Sequence, residues 1–352
     1  MKIAIDLTPL YGRKATGVEL YAIDLYRSLL KTNHTIIPIF HVENTIDKNE
    51  NSIIIKKTKR LILENYSLTK AVQKSHADIA LFPIFPPPIN IYNKGIKIVP
   101  VLHDLAYLKF RNLLNTAAKY YLTPKKNIAL KKSDSIITIS ETIKKDASRI
   151  TKLPIYNCGE NIAIEYLDAF NKANISFLEK WNLNINKYII SVSTIEPRKN
   201  FKYLLKVIKP CLESNGMKLV LVGRKGWGKD KELQKIIDDM GNLLIFTEYV
   251  SLECLISLYH YAYAFALLSI DEGFGRTPFE ALACGCNRII LSDIPIFKET
   301  FEDKAYFLPL NDIERCQKLL LKNKIPIIEN NINIPFNVIE KKLPDVLLKI
   351  KG

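Results

Sequence analysis

A glycine-bearing loop, placed between an apolar stretch and a helix-start pattern, is the segment of this sequence with the clearest chemistry. Gly273 and Gly275 let the backbone turn sharply and approach a ligand closely. Thr277 is a suitable N-cap, Pro278 suits the first helical position, and Glu280 follows three residues after the cap. A helix that begins here directs its free N–H groups and positive dipole end at the loop, which predicts an anion site for a phosphate.

Two carboxylates flank the same loop. Glu272 and Glu280 have seven residues between them. Taken alone, Glu280 completes a capping box with Thr277, and Glu272 is a solvated loop carboxylate. The alternative is that both carboxylates bind a ligand, and the residues by themselves leave this choice open.

Adjacent cations follow another apolar stretch, which begins at Tyr188. Arg198 and Lys199 come after it, in the segment Glu196–Asn200. Such a pair suits the neutralisation of charge on a phosphate leaving group. The alternative is a solvated pair in front of a helix.

Four further candidates follow apolar stretches elsewhere. Gly223 and Arg224 belong to a glycine-rich turn, Gly17 stands at the start of a helical pattern, and His103 precedes Asp104 at a strand end. Each has a structural alternative, as a turn glycine or a core histidine. The proline-rich segment 82–88 is a stiff loop, expected either to line an acceptor site or to serve as a rigid connection.

Short apolar runs alternate with helical patterns along the chain, which predicts β/α units and mostly parallel sheets. One series occupies residues 1–160 and another occupies 170–330, and a closing amphipathic helix over 336–352 is expected to pack back onto the first. Ligands of such sheets bind beyond the carboxyl ends of the strands, where the motifs fall. We therefore expect two Rossmann-like, doubly wound α/β domains that face each other across a cleft.

The sequences of these motifs resemble those of family 4 of the retaining GT-B glycosyltransferases, also called the group 1 glycosyltransferases. The segment 272–285 resembles that family's signature of two glutamates separated by seven residues. Glu196–Asn200 is similar to its E-P-R-K-N segment, Val222–Gly228 to its V-G-x-x-G-W loop, and His103-Asp104 to its H-D pair. The resemblance covers most of the chain and is strongest over 188–300.

One departure from the family pattern concerns the second cation. Many members carry a Gly-Arg pair where this chain has Ser193-Thr194. Either Arg198 or Arg224 is then left to supply that charge.

The resemblance implies that the domain over 1–160 binds the acceptor and that the domain over 170–330 binds the nucleotide-sugar donor, and it also implies roles for individual residues. It implies that Glu272 contacts the donor sugar, Glu280 the ribose hydroxyls, Lys199 the pyrophosphate, and the Gly17 N–H a phosphate. The implied catalytic residues are Glu272, Lys199, Arg198 and His103. The implied donor-binding residues are Glu280, Gly273, Phe274, Gly275, Gly17, Gly223, Arg224 and Thr277.

The net charge of +15 is unevenly distributed. Residues 1–160 contain 25 Lys and Arg against 13 Asp and Glu, a net of +12, and the remaining 26 against 23 give +3. A basic half favours a polyanionic partner, and the pairs Lys125-Lys126, Lys131-Lys132 and Lys144-Lys145 suggest an anionic membrane surface. The alternative is a lysine-rich composition without a functional meaning. No nucleic-acid-binding motif is present, so no nucleic-acid partner is expected.

Several functional classes find no support in the sequence. The six cysteines have no zinc-like spacing, and no D-x-D pair follows an apolar stretch, so no metal or other cofactor is expected. No signal-peptide pattern and no apolar run of about 18 residues is found. The expected location is therefore cytoplasmic, with peripheral attachment to the inner face of the membrane as an option.

The sequence thus predicts a retaining, metal-independent transferase that moves a sugar from a nucleotide-sugar donor to a glycan or an undecaprenyl-diphosphate-linked acceptor. The E-P-R-K-N and G-W motifs resemble those of bacterial O-antigen and capsule mannosyltransferases. This resemblance points to GDP-mannose as donor and to surface polysaccharide synthesis. Two alternatives stay open: a nucleotide-sugar 2-epimerase of similar architecture, and a donor-binding subunit without activity.

Overall fold

The computed structural model describes residues 1–10, 17–42, 46, 48–56, 59, 62–84, 86–110, 118–224, 230–328 and 332–352. They form two compact units, each built around one parallel sheet. The first unit contains Met1–Asn161 together with Asn337–Gly352, and the second contains Ile162–Phe336.

The first unit has a seven-stranded sheet. Its strands are β1 (Lys2–Asp6), β2 (Thr35–His41), β3 (Ile53–Ile55), β4 (Ile79–Phe82), β5 (Lys97–Leu102), β6 (Ile136–Thr138) and β7 (Ile155–Asn157). Their order is β3-β2-β1-β4-β5-β6-β7, with parallel pairing throughout. The order reverses between β1 and β4, which is the kind of switch point where doubly wound sheets bind ligands.

Helices cover this sheet because their apolar faces need burial. They are α1 (Gly17–Leu30), α2 (Leu68–Lys74), α3 (Ala106–Lys109), α4 (Thr123–Lys132) and α5 (Glu141–Ser148). Tyr21, Leu25 and Leu29 of α1 are fully buried. Two π-type turns, Leu63–Ser67 and Ala118–Leu122, lead into α2 and α4.

The second unit has a six-stranded parallel sheet in the order β10-β9-β8-β11-β12-β13. The strands are β8 (Tyr188–Val192), β9 (Lys218–Val222), β10 (Leu244–Glu248), β11 (Ala264–Leu267), β12 (Ile289–Ser292) and β13 (Tyr306–Leu308). The helices are α6 (Phe201–Asn215), α7 (Lys231–Met240), α8 (Leu252–His260), α9 (Arg276–Ala283), α10 (Pro295–Phe301) and α11 (Ile313–Lys322). Short 3-10 turns occupy Ile164–Tyr166, Phe170–Lys172 and Ile175–Trp181, where the sequence periodicity is weak.

The last helix, α12 (Val338–Lys351), belongs to the first unit and packs on α1. Its Ile339, Leu343 and Leu347 are fully buried. The side-chain Oδ1 of Asn161 accepts hydrogen bonds from the N–H groups of Val338 at 2.8 Å and Ile339 at 3.2 Å. Two free N–H groups at the helix start are thereby satisfied, which anchors α12 beside the point where the chain leaves the first unit.

Two sequence predictions are wrong. Helix α9 begins at Arg276 with Gly275 as its N-cap, not at Pro278 behind a Thr277 cap. Lys125 is not a surface cation: its side chain is 2% exposed and its Nζ lies 3.5 Å from Oε2 of the buried Glu64. Both errors arise from tertiary contacts that override local preference. Among the described helices, none is long and apolar enough to span a membrane.

Candidate functional site

Two loops of the second unit meet at the carboxyl ends of adjacent strands. The turn Pro197–Lys199 follows β8, and the loop 269–272 follows β11, which pairs with β8. The N–H of Ile270 donates to the carbonyl oxygen of Arg198 at 2.9 Å, and Arg198 Nη1 donates to the carbonyl oxygen of Asp271 at 3.1 Å. The structure therefore brings the two most distinctive motifs of the sequence together.

The side chains of these loops converge on one carboxylate. Lys199 Nζ lies 2.6 Å from Glu272 Oε1, Arg198 Nη1 lies 3.1 Å from Glu272 Oε2, and Ser269 Oγ donates to Oε1 at 2.7 Å. The Glu272 side chain is only 7% exposed, so it is not the solvated carboxylate of the alternative interpretation. Burial would raise its pKa, but the charges of Lys199 and Arg198 outweigh burial and hold the pKa of Glu272 below its usual value.

The second glutamate of the pair lies in a different environment. Glu280 is buried on α9, where its carboxylate faces Tyr259 Oη at 3.5 Å and Arg276 Nε at 3.9 Å. Burial raises the pKa of Glu280, while Arg276 acts in the opposite direction. Because the N-cap Gly275 has no side chain, Glu280 is not part of the capping box that the sequence suggested.

Gly275 is required by the geometry of the turn. Its φ is +91°, and a Cβ at this position would lie 2.6 Å from Phe297 Cε1. The N-cap of α9 therefore has no side-chain acceptor that could occupy the first N–H groups of the helix. An anion site at the start of a helix needs these N–H groups for its ligand. The neighbouring Phe274 stacks on Phe279 with ring centroids 5.6 Å apart, so its ring packs against α9.

Two other predicted donor-site residues of this unit directly follow β9. Gly223 has a φ of +146°, and a Cβ there would overlap the carbonyl oxygen of Ser193, so close backbone packing explains this glycine. Arg224 is exposed, and its carbonyl oxygen accepts from the N–H of Ile195 at 3.2 Å. Of the two arginines proposed as second cation, Arg198 is the one that lies beside Lys199 and Glu272. The rest of the G-W loop, 225–229, lies outside the described residues.

Two predicted site residues belong to the first unit. Gly17 is the exposed first residue of α1, and the preceding loop 11–16 lies outside the described residues. His103 Nε2 lies 2.7 Å from the carbonyl oxygen of Pro83. A carbonyl only accepts, so Nε2 carries the proton, and burial lowers the pKa of His103. The neutral ring therefore presents Nδ1 as an acceptor.

Several residues of the site were missed from the sequence. Ser269 and Asp271 closely precede Glu272 in the sequence, so their place in the site could have been predicted from the neighbours of this glutamate. Arg276, one helical turn before Glu280, carried the weaker signal of an i,i+4 pair. Tyr259, 21 positions before Glu280, gave no local signal.

Solved structures with a similar fold identify the architecture. Sucrose-phosphate synthase from Thermosynechococcus elongatus superposes with a TM-score of 0.74 at 15% identity, covering 99% of this chain and 98% of that one. HepE from Anabaena, solved with UDP-glucose, gives a TM-score of 0.71 at 15% identity over 99% of this chain and all of that one. WaaG, a glycosyltransferase of lipopolysaccharide biosynthesis, gives 0.65 at 12% identity over 91% and 90%. The fold is that of the GT-B glycosyltransferases, as predicted.

Sequence comparisons show a similarity of the second unit to one family. Residues 176–323, most of the second unit, match the model of the glycosyl transferases group 1. The O-antigen chain mannosyltransferase RfbU of Salmonella typhimurium is 30% identical over 199 residues, 56% of this chain and 52% of that protein. The O-antigen chain mannosyltransferase B of Escherichia coli is 23% identical over 347 residues, 92% of this chain and 90% of that protein. The family match covers less than half of this chain, and the chain spans only about half the length of RfbU.

Proposed function

We propose that this protein is a retaining, metal-independent mannosyltransferase that uses GDP-mannose to extend a bacterial surface glycan. The observation that carries the proposal is the cluster of Glu272, Lys199 and Arg198 at the carboxyl edge of the second sheet. The choice of mannose is supported by the names of the relatives, which act in O-antigen synthesis.

The cluster suits a donor in which a sugar is linked to a diphosphate. Lys199 and Arg198 provide positive charge where the diphosphate leaves, and the start of α9 provides N–H groups. Glu272 pairs with both cations. A diphosphate that binds them takes over these contacts, so the Glu272 carboxylate becomes available to accept hydrogen bonds from sugar hydroxyls. Glu280, near the start of α9, is proposed to bind the ribose hydroxyls.

The proposed reaction is a displacement at the anomeric carbon. The bond from this carbon to the phosphate oxygen breaks, and a bond from the acceptor hydroxyl oxygen forms on the same face, which retains the anomeric configuration. The acceptor proton passes to an oxygen of the leaving diphosphate. Lys199 and Arg198 stabilise the negative charge that develops on that group.

Metal independence is proposed from the chemistry of the side chains. In this proposal, Lys199 and Arg198 provide the positive charge that a metal would otherwise bring to the leaving diphosphate. Within the part of the chain that the structure describes, no group of three His, Cys, Asp or Glu side chains has the arrangement of a metal site.

A donor panel tests the proposal. The purified protein is incubated with UDP-, GDP- and dTDP-sugars, and transfer to mannose-terminated oligosaccharides is followed by mass spectrometry, with product anomers assigned by NMR. Transfer from GDP-mannose with an α-linked product supports the proposal. Conversion of a nucleotide sugar into its 2-epimer without an acceptor, or transfer with inversion, would contradict it.

A further inference from the structure

A cavity of about 120 Å³ lies in the first unit at the carboxyl end of β5. Polar groups line it through His103, Asp104 and Lys126, and apolar side chains such as Leu102 and Pro86 complete its wall. By volume it holds several water molecules. The carboxyl end of a strand is where open parallel sheets bind their ligands. We call this the β5 cavity.

Lys126 is the unusual side chain of the β5 cavity. It is partly buried, and its Nζ lies 4.5 Å above the centroid of the Tyr107 ring. None of the described residues forms a hydrogen bond or an ion pair with this ammonium group. Burial lowers the pKa of Lys126, and the charge of Asp104 only partly compensates. A partly buried cation without an anionic partner is unfavourable for stability, which indicates that a ligand uses it.

Asp104 provides the complementary group. Its Oδ1 accepts the N–H of Ala106 at 3.2 Å, and it forms no ion pair with Lys126. The cavity thus holds a cation and an anion that do not contact each other. The neutral His103 ring, with Nε2 bonded to Pro83, adds an acceptor at Nδ1.

This combination selects a class of ligand. A sugar has neighbouring hydroxyls that each donate and accept, so one hydroxyl can donate to Asp104 while another accepts from Lys126. A phosphate would satisfy Lys126 but would be repelled by the carboxylate of Asp104. The charges therefore favour a neutral polyhydroxylated ring over an anion.

We propose that the β5 cavity binds one neutral sugar residue of the acceptor glycan, and that Lys126 and Asp104 determine its specificity. This inference rests on the proposed glycosyl transfer, because it assigns the acceptor of that reaction. Lys126 donates to a hydroxyl oxygen of the ring, and Asp104 accepts from a neighbouring hydroxyl.

The first test separates acceptor recognition from donor recognition. Lys126→Met keeps an unbranched apolar side chain and removes the charge beside Tyr107, and Lys74→Met makes the same change at an exposed position of α2. Loss of one charged hydrogen bond should raise the acceptor KM of K126M roughly ten- to a hundredfold. The KM for the donor and the Kd for GDP should stay within twofold of wild type, and K74M should match wild type throughout.

The melting temperature separates a ligand-binding role of Lys126 from a structural role. Because Lys126 lacks an anionic partner, K126M should melt at the same temperature as wild type or higher, whereas loss of a structural contact would lower it. An acceptor KM within twofold of wild type, or an equal effect on the donor KM, would overturn the inference.

A second measurement does not depend on turnover. Binding of α-mannobiose without donor, followed by saturation-transfer NMR, should be detected for wild type and lost in K126M and Asp104→Asn, which retains the oxygen that accepts from Ala106. If mannobiose binds in this way but no donor supports transfer, the proposed function fails and the inference stands. If the wild type binds no mannobiose, or if inorganic phosphate binds through Lys126 instead, the inference is wrong.

Discussion

Lys199 Nζ lies 2.6 Å from Oε1 of Glu272, and Arg198 holds the second oxygen of the same carboxylate at 3.1 Å. One buried carboxylate thus neutralises both cations that the proposed mechanism assigns to the diphosphate. Donor binding then requires an exchange of partners: the cations turn to the phosphates, and the glutamate turns to the sugar. This exchange predicts that the carboxylate opposes binding of a diphosphate that has no sugar attached.

We predict that Glu272→Gln lowers transfer and strengthens GDP binding. The amide keeps the shape of the side chain but no longer competes for Lys199 and Arg198. Transfer should fall roughly a hundredfold or more because a transition-state contact is lost. The Kd for GDP should decrease by about fivefold, equivalent to about 1 kcal/mol. Isothermal titration calorimetry measures the Kd.

Glu196→Gln is the matched control for this variant, because Glu196 Oε1 also pairs with Arg198, at 2.9 Å, but its side chain is 40% exposed. It should leave transfer within a fewfold of wild type. Weaker GDP binding by E272Q would show that the glutamate supports the diphosphate site instead of competing for it.

Lys199→Ala and Glu280→Ala should each lose most of the transfer activity and keep the fold. Removal of one charged contact to a desolvated phosphate or ribose should cost about 2–4 kcal/mol of transition-state stabilisation, roughly 30- to 1,000-fold in kcat/KM. Steady-state kinetics gives the loss, and circular dichroism checks the fold. Lys202→Ala removes a more exposed lysine nearby and serves as control. Wild-type turnover in K199A or E280A would remove that residue from the donor site.

Asp6 predicts a pH-dependent difference in stability. Burial raises its pKa from 3.8 to about 6, against two hydrogen bonds from Thr8 and with a further contribution from the charge of Glu64. The folded state therefore holds this proton more tightly than the unfolded state. Ionisation of Asp6 does not affect the free energy of unfolding below about pH 4. It lowers the free energy of unfolding progressively between pH 4 and 6, and the loss reaches about 3 kcal/mol above that window.

Asp6→Asn keeps the oxygen that Thr8 contacts and cannot ionise. Its free energy of unfolding relative to wild type should accordingly increase as pH rises from 4 to 7. Urea unfolding at several pH values measures this difference. A difference that does not vary with pH would show that Asp6 titrates as it does in the unfolded chain.

Transfer should continue in excess EDTA, because Lys199 and Arg198 are proposed to replace a metal at the leaving group. The assay compares GDP-mannose turnover of EDTA-treated protein with and without added magnesium or manganese. Activity that disappears with EDTA and returns with either ion would refute the metal-independent mechanism.

The basic first unit should bind anionic vesicles. Lys56, Lys59, Lys131, Lys132 and Lys145 are exposed there, and each cation near an anionic leaflet contributes about 1 kcal/mol. Sedimentation with phosphatidylglycerol vesicles at low salt should recover the protein, and salt should release it because screening shortens the field to about 8 Å at physiological strength.

The charge reversal Lys131→Glu/Lys132→Glu should weaken vesicle binding. The same change at Lys231 and Lys235, which are exposed in the second unit, is the control. Equal recovery with neutral and anionic vesicles would leave lysine-rich composition as the explanation.

The long, strongly patterned elements could be predicted from the sequence. The apolar patterns of 218–222 and 231–240 predict a strand and a helix, and the structure has both elements with these bounds. The sequence pattern predicts no strand over 53–55, 155–157 or 306–308, which form β3, β7 and β13, because such short segments carry too little periodicity to separate a strand from a loop. Fold class was accessible because it depends on the alternation of elements and not on each boundary.

The candidate site was only partly predictable. Glu272 and Lys199 stand out in local motifs, but their 2.6 Å contact joins residues 73 positions apart. Local rules also failed at Thr277, because the start of α9 is fixed by the close approach of Gly275 to Phe297. The unpaired ammonium of Lys126 depends on packing around β5 and left no trace in the sequence pattern.

The hydrogen bonds from Val338 and Ile339 to Asn161 join the last helix to the end of the first segment of its unit. The second unit is one uninterrupted segment, whereas the first consists of two segments that are separated by the whole of the second. On the ribosome, the second unit can therefore fold as soon as it emerges. The first unit must wait for α12 to be translated before Ile339, Leu343 and Leu347 can cover the apolar surface of α1.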